Sequence, residues 1–349
     1  MTLLITIIVL AIVFDFINGF HDAANSVATV VSTKVLSPTQ AVIWAAFFNF
    51  VAFFIAKYII GGFGVAKTIS ETIDLKFFPE DPSMVSLVLV AALSAAIIWN
   101  LITWKFGIPS SSSHTLIGGL AGAAIAACGF KAVHSATIGI IALFIVLAPV
   151  IGMVGGNIIT LITLHSFRKI KPKTAETLFK KLQLVSSALL SIGHGLNDSQ
   201  KVMGVIAVAI VANQSIGLPH FMQGEDANYI MNNHEWIALV CFSAIALGTM
   251  VGGWKIMKTM GNRITKITPV EGFCAQTAGA LTLFITEMLH IPVSTTHVIT
   301  GSIMGVGSVK RLSAVRWGVT KDLLVAWILT IPVSALMAGI MFWILHFIF

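Results

Sequence analysis

Charge is what this chain has least of. Only 10% of its 349 residues are Asp, Glu, Lys or Arg, whereas a soluble domain carries about 25%. Hydrophobic residues make up 57%, and mean hydropathy is +0.94. A water-soluble globular fold is excluded. Cysteine is scarce as well. Cys128, Cys241 and Cys274 stand singly in apolar stretches, odd in number and without ligand spacing, which excludes a disulfide framework and a zinc site. Alternating ten-residue segments are missing, which excludes a membrane barrel. A basic start and a small-residue cleavage site are missing too: the first apolar stretch runs into Asp15 and Asp22, and is expected to be a span rather than a signal peptide.

What is there is apolar sequence in runs of membrane-crossing length. They fall at 3–14 with its continuation, 40–60, 84–103, 136–164, 236–254 and 323–349. The expected fold class is an all-α polytopic membrane protein, multi-pass in the plasma membrane, with the lipid bilayer as its surroundings. The net charge of +7 does not signal nucleic acid, because its placement is wrong for a binding face. The basic residues gather in three loops: Arg168, Lys169, Lys171, Lys173, Lys180 and Lys181; Lys255, Lys258, Arg263 and Lys266; Lys310, Arg311, Arg316 and Lys321. By the positive-inside rule these loops are cytoplasmic.

Loop charge then sets a topology. Loop 213–235 holds Glu225, Asp226 and Glu235 and no Lys or Arg, which suits the outside. Loop 61–83 carries Glu71, Asp74, Glu80 and Asp81 against Lys67 and Lys76, and is placed outside as well. Blocks 84–128 and 270–308 each enter and return. The N- and C-termini come out on the outside. The expected division is a first transmembrane repeat at 1–164, a short basic cytoplasmic linker at 165–180, and a second, inverted repeat at 181–349.

The duplication is visible in the residues. Ile108-Pro109-Ser110-Ser111-Ser112-Ser113-His114 returns 183 positions later as Ile291-Pro292-Val293-Ser294-Thr295-Thr296-His297. Pro149 and Pro332 share that spacing, and Gly19-Phe20-His21-Asp22 returns after 176 positions as Gly195-Leu196-Asn197-Asp198. Polar, Pro-interrupted segments in corresponding places of two apolar halves point to a transporter's binding site.

Each motif has its own chemistry. Pro109 and Pro292 stop or kink the helix before them, and the Ser and Thr residues beyond are natural N-caps. A helix N-terminus near mid-membrane offers free N–H groups and the positive end of a dipole, so Ser111, Ser112, Ser113, Ser294, Thr295 and Thr296 are candidates to cradle a tetrahedral oxyanion. The other reading is a pair of capped breaks that only shape hairpins. His114 and His297 are candidate ligands or proton carriers, or they bond a nearby carbonyl. Asp22 and Asp198 lie inside apolar helices, where a charged carboxylate costs roughly 3 kcal/mol on insertion scales. They are the candidate cation-coupling groups, with His21 and Asn197 beside them and sodium as the metal ion they would hold. Gly19 and Gly195 are expected to let each of these helices break. Three residues on, the first copy has Asn25 and the second Lys201, both candidates to contact the substrate. Lys201 pairs with Asp198, faces an anionic substrate, or stands where a mobile cation would sit. Asp15 is placed near the interface. Glu287 is the deeper of two acids flanking the second hairpin and a candidate relay.

At these residues the chain resembles the PiT family of inorganic phosphate transporters, which carries Gly-x-Asn-Asp-x-x-Asn once per half. Here the signature stands as Gly19-Phe20-His21-Asp22-Ala23-Ala24-Asn25 and Gly195-Leu196-Asn197-Asp198-Ser199-Gln200-Lys201. The departures are His21 and Lys201. The resemblance covers about residues 10 to 345. It implies secondary transport of inorganic phosphate with sodium or protons, the substrate held between the two hairpins, alternating access around a midplane site, and no cofactor beyond the coupling ion. Alternatives are a sulfate permease of the same architecture and a proton-coupled metal–phosphate symporter. A channel and an intramembrane Ser-His-Asp hydrolase stand further back, since a hydrolase needs one triad rather than two half-sites. A homodimer is compatible with this size, but no segment marks its interface.

Overall fold

A computed structural model describes residues 1–79 and 81–348; Glu80 and Phe349, which the loop and span expectations included, lie outside the described residues. The chain is helical almost throughout. In order, the helices are α1 (Thr2–Ser32), α2 (Pro38–Ile55, continued by a π-turn to Ile60), α3 (Gly64–Ser70), α4 (Pro82–Phe106), α5 (Ser112–Cys128), α6 (Ser135–Ser166), α7 (Pro172–Ala212), α8 (Ala227–Asn233), α9 (Glu235–Val251), α10 (Trp254–Asn262), α11 (Pro269–Met288), α12 (Thr295–Lys310) and α13 (Trp317–Ile348). Among the described residues the only β-type pairing is one bridge between Ile73 and Val133. Among them, too, five helices are long and apolar enough to cross a bilayer: α1, α2 with its π-turn, α4, α6 and α13. Helices α8 and α9 make a sixth if their 77° bend is one broken span.

The packing obeys one exchange rule. Helix α1 packs on α9 and α4, and α7 packs on α2 and α11. Hairpin α4–α5 corresponds to hairpin α11–α12. Helix α5 lies against α13 and helix α12 against α6, so each half sends its last long helix to the other half's hairpin. Replacing α1, α2, α4, α5 and α6 by α7, α9, α11, α12 and α13 leaves these pairings the same.

Glycines allow the closest of these contacts. A Cβ on Gly301 would fall 2.1 Å from the Pro149 carbonyl, and one on Gly305 would fall 2.0 Å from that of Met153. In the other copy, a Cβ on Gly118 would meet the Ile331 carbonyl at 2.7 Å and one on Gly122 that of Ala335 at 2.1 Å. These are small-xxx-small seams, in which backbone meets backbone across the membrane interior. Both prolines of the repeat, Pro149 and Pro332, sit in the partner helices at these seams.

Helix ends are built alike. Gly107 closes α4 with φ +68°, and His290 takes the same left-handed backbone, φ +57°, after α11. Ile108 N bonds Thr103 O and Ile291 N bonds Thr286 O, each at 2.9 Å. This is a Schellman-type stop in both copies, and the proline two residues on keeps the helix from resuming.

Three expectations need correction. The Asp-bearing helices are not broken: α1 and α7 run through Gly19 and Gly195 without interruption. The glycines serve packing instead. A Cβ on Gly19 would lie 2.4 Å from Ile245 O, and one on Gly195 2.7 Å from Asn49 O. Asp15 is not interfacial but 0% exposed, packed inside the protein with neither carboxylate oxygen hydrogen-bonded. Helix α7 begins at Pro172, so the second half of the expected linker, from Pro172 to Lys180, forms its first turns. Proline at the first helical position explains the early start, since its missing N–H leaves no bond unmade there.

Replacing Gly301 by Leu should force α12 from α6. Overpacking of this kind costs about 2–3 kcal/mol, and a melting curve of the purified protein in detergent should shift down accordingly. An unchanged transition would show that the seam does not hold the halves together.

Candidate functional site

Every candidate named from the sequence is buried, none more than 4% exposed. The two Pro-Ser/Thr turns bring most of them to one place. Ser111 caps α5 by accepting from His114 N at 3.2 Å, and Ser294 caps α12 by accepting from His297 N at 3.3 Å. Those hydroxyls keep their own hydrogens free to donate. The turns also grip each other: Thr296 Oγ1 donates to Ser110 O at 3.3 Å, and Ser113 Oγ donates to Val293 O at 3.4 Å. The two bonds are the same bond in duplicate, with the halves exchanged. Two helix N-termini therefore meet, each turn bonded to the other, and their first-turn amides have no acceptor within their own helices.

The carboxylates flank this clasp. Asp22 Oδ2 accepts from Ser112 Oγ at 2.9 Å, and its Oδ1 lies 2.6 Å from His21 Nδ1. The other ring nitrogen of His21 is 3.0 Å from Thr103 Oγ1. Asp198 Oδ2 accepts from Thr295 Oγ1 at 3.4 Å and lies 3.1 Å from His194 Nε2. Its Oδ1 takes the ammonium of Lys201 at 2.6 Å. Lys201 further donates to Ser113 Oγ at 2.5 Å and to Val293 O at 2.8 Å. Asn25 Nδ2 donates to Thr295 Oγ1 at 3.1 Å and Thr296 Oγ1 at 3.0 Å.

Asp22 and Asp198 belong to different halves, yet ligand atoms of Asp22, His194 and Asp198 all lie within 4.8 Å of one another. Two carboxylates so close, sealed from water, need cations between or beside them. His194 was not among the residues picked from the sequence. Its position was legible, four residues before Asp198 and so on the same helical face. Its Nδ1 lies 3.2 Å from Asn49 Oδ1, which holds the ring in place.

His114 and His297 meet as a pair, ring centroids 4.8 Å apart, and His297 stacks on Trp327 at 4.0 Å. Trp327 Nε1 donates to Pro109 O at 3.0 Å, tying the last helix to the first turn. His114 and His297 bond no carbonyl, since no ring nitrogen of either has a hydrogen-bond partner, and two further candidates stand outside the cluster's bonding. Asn197 is buried with neither side-chain atom hydrogen-bonded. Glu287 accepts from Gln200 Nε2 at 2.6 Å, and Gln200 Oε1 in turn accepts from the Val65 backbone, at the start of α3.

A model of the phosphate transporter family matches residues 18–338. The chain belongs to that family. It is similar to a probable low-affinity inorganic phosphate transporter of Rhizobium meliloti, 47% identical over 97% of this chain and 95% of the relative. A protein of the same description in Bacillus subtilis is 45% identical over 99% of this chain and 98% of its own length. One from Mycobacterium leprae is 36% identical, covering 99% of this chain and 79% of the relative. Among solved structures, a chain described as the sodium-dependent phosphate transporter aligns over 100% of both chains, with a TM-score of 0.84 at 25% identity. Family membership makes this a multi-pass membrane protein of transporter type rather than an enzyme, which removes the hydrolase reading. The polar cluster thus lies in the interior of a transporter fold.

Replacing Ser294 by Ala should remove the α12 cap and lower stability by about 1 kcal/mol, while Ser294→Gly should lose only a few tenths. Thermal unfolding of the two variants checks this; equal losses would mean that Ser294 acts through something other than capping.

Proposed function

We propose that this protein imports inorganic phosphate by symport with sodium, through alternating access around the clasp between the two hairpins. The observation that carries the reading is the reciprocal bond pair, Thr296 to Ser110 and Ser113 to Val293, flanked by Asp22 and Asp198. Two opposed helix N-termini with six hydroxyl groups suit a tetrahedral oxyanion. The proposed anion-facing residues are Ser111, Ser112, Ser113, Ser294, Thr295, Thr296 and Asn25. The likeness to relatives named for phosphate favours phosphate over sulfate. A carboxylate acceptor at the site favours it further, because phosphate near neutral pH keeps a proton to donate and sulfate does not.

Charge sets the coupling. Phosphate carries one to two negative charges, and each one moved uncompensated against the membrane potential costs about 2.3 kcal/mol per 100 mV. At least one cation must travel with it, and the Asp22–Asp198 pair is its proposed place, with sodium favoured by the likeness to a structure described as sodium-dependent. One observation supports protons as a second reading: each carboxylate contacts a histidine, His21 at 2.6 Å and His194 at 3.1 Å. In the proposed topology the halves are inverted repeats and the central loop near Phe167–Lys171 is cytoplasmic, with both termini outside.

Uptake of radiolabelled phosphate into proteoliposomes, under an inward sodium gradient in one arm and an inward proton gradient in the other, tests this. Accumulation with sodium alone is expected, unaffected by a tenfold excess of sulfate. Accumulation with protons alone would transfer the coupling role to the histidine–carboxylate pairs. Asp22→Asn should abolish uptake and leave the protein folded, and retained uptake would remove Asp22 from the mechanism.

A further inference from the structure

The two halves of the polar cluster differ most at one matched position, Asn25 against Lys201. Each side chain extends from the residue three after its Asp and reaches the opposite hairpin. Asn25 donates to Thr296, and Lys201 donates to Ser113, the residue that corresponds to Thr296. Beyond that shared bond the two positions part. The amide oxygen of Asn25 is buried and accepts no hydrogen bond. It is an open acceptor on α1, one helical turn after Asp22. In the second half the equivalent place is filled. The Lys201 ammonium is 2% exposed and spends its three protons on three oxygens of three kinds: the Asp198 carboxylate at 2.6 Å, the Ser113 hydroxyl at 2.5 Å and the Val293 carbonyl at 2.8 Å.

Those oxygens come from α7, from the first turn of α5 and from the turn before α12. Carboxylate, hydroxyl and backbone carbonyl are together the ligand set of a hard monovalent or alkaline-earth cation. A surface ion pair would not need it. An ammonium is a compact point charge with tetrahedral donors, unlike a guanidinium, and can fill such a cage.

We propose that Lys201 is a tethered cation occupying a built cation site, so that the transporter runs with one mobile coupling ion fewer than the duplicated architecture offers. The inference rests on the symport reading above. Two carboxylates and one ammonium leave the Asp22–Asp198–Lys201 cluster one negative charge, which one mobile cation neutralises. That cation has the open half, at Asp22 and the free oxygen of Asn25. The tethered charge assists anion binding but stays with the protein, so it carries no charge across the membrane in a cycle. Lysine here exchanges concentrating power for independence from a second ion. It also couples the halves, because its cage closes only while α5, α7 and the turn before α12 are together.

Equilibrium binding of ²²Na⁺ to purified protein in detergent, comparing wild type with Lys201→Asn and Lys201→Met, tests the proposal. Lys201→Asn should bind one more sodium per chain than wild type, since it empties the cage and supplies an amide oxygen. Lys201→Met, which vacates the cage but offers no oxygen, should bind that extra sodium at least tenfold more weakly. Equal sodium counts in wild type and Lys201→Asn would overturn the tethered-cation role and leave a structural ion pair. A second readout needs no variant: wild-type phosphate uptake against concentration of the driving cation should have a Hill coefficient of about one, and a value of about two would overturn the proposal even if the variants failed to fold. If wild type takes up no phosphate, the symport reading fails, while the sodium count still decides the role of Lys201.

Discussion

Two carboxylates buried side by side in a bilayer-spanning chain are the constraint on which the rest of the structure depends. Asp22 and Asp198 lie deep in α1 and α7 with almost no exposure, and burying such groups in charged form is tolerable only where donors and counter-charges surround them. In a membrane interior those donors have to come from side chains and from helix ends. The Pro-Ser/Thr turns provide both, because a helix that stops inside the protein exposes amides and hydroxyls together. A stopped helix is itself a liability unless its end is covered, and each turn covers the other through the Thr296–Ser110 and Ser113–Val293 bonds. The glycine seams complete the sequence of dependence. Hairpins held this close together must lie backbone against backbone on α6 and α13, and Gly301, Gly305, Gly118 and Gly122, with Gly152 and Gly156 on α6, permit that.

Duplication explains the symmetry of the frame, while substitution explains its chemistry. The frame repeats down to single bonds: caps at Ser111 and Ser294, stops at Gly107 and His290, seams at matched glycines. Ser112 serves Asp22 as Thr295 serves Asp198. The charges do not repeat. His21 leans on Asp22 where Asn197 is left without a partner, and Lys201 stands where Asn25 does. A symmetric site of two carboxylates would carry two uncompensated charges. The asymmetric one has an ammonium in one half and two histidines, His21 and His194, set against different carboxylates. In the proposed symport that inequality would serve direction and ion count, because the two ends of a symmetric frame are otherwise energetically alike.

Much of this was legible in the sequence for definite physical reasons. Proline two residues past a helix end, followed by small hydroxylic residues, allows few backbone outcomes, so the hairpins and their caps can be read directly. Asp in an apolar run is costly enough that its presence marks a site. Sequence reasoning fails where one residue type serves two purposes. Gly19 and Gly195 read as places for a helix to break, and they are places for a helix to be approached; a single sequence does not separate the two, because both need only the absence of Cβ. Distance along the helix puts Asp15 at the interface, but helical position says nothing of which neighbours close over a face, and α7 and α9 both pack on α1. His194 is legible at i−4 from Asp198. It escapes a search by repeats because it lies outside the repeated signature, having Asn18 rather than His as its counterpart.

The closed clasp also limits how the site can open. Since α1 and α7 are continuous through Asp22 and Asp198, the carboxylates are not exposed by unwinding the helices that bear them; long stretches of intrahelical hydrogen bonds would be lost inside the bilayer. The bonds that can part at small cost are those between the two turns, which are long at 3.3 and 3.4 Å, are neutral, and involve hydroxyls able to turn to a ligand. The seams cannot part as easily, because separating α5 from α13 or α12 from α6 would leave glycine-lined gaps that no side chain fills. Lys201 belongs to both sets: its bond to Ser113 reaches across the clasp, and its bond to Asp198 stays within α7. Separating the turns would therefore either carry the ammonium with α7 or leave the Ser113 hydroxyl and the Val293 carbonyl to another donor.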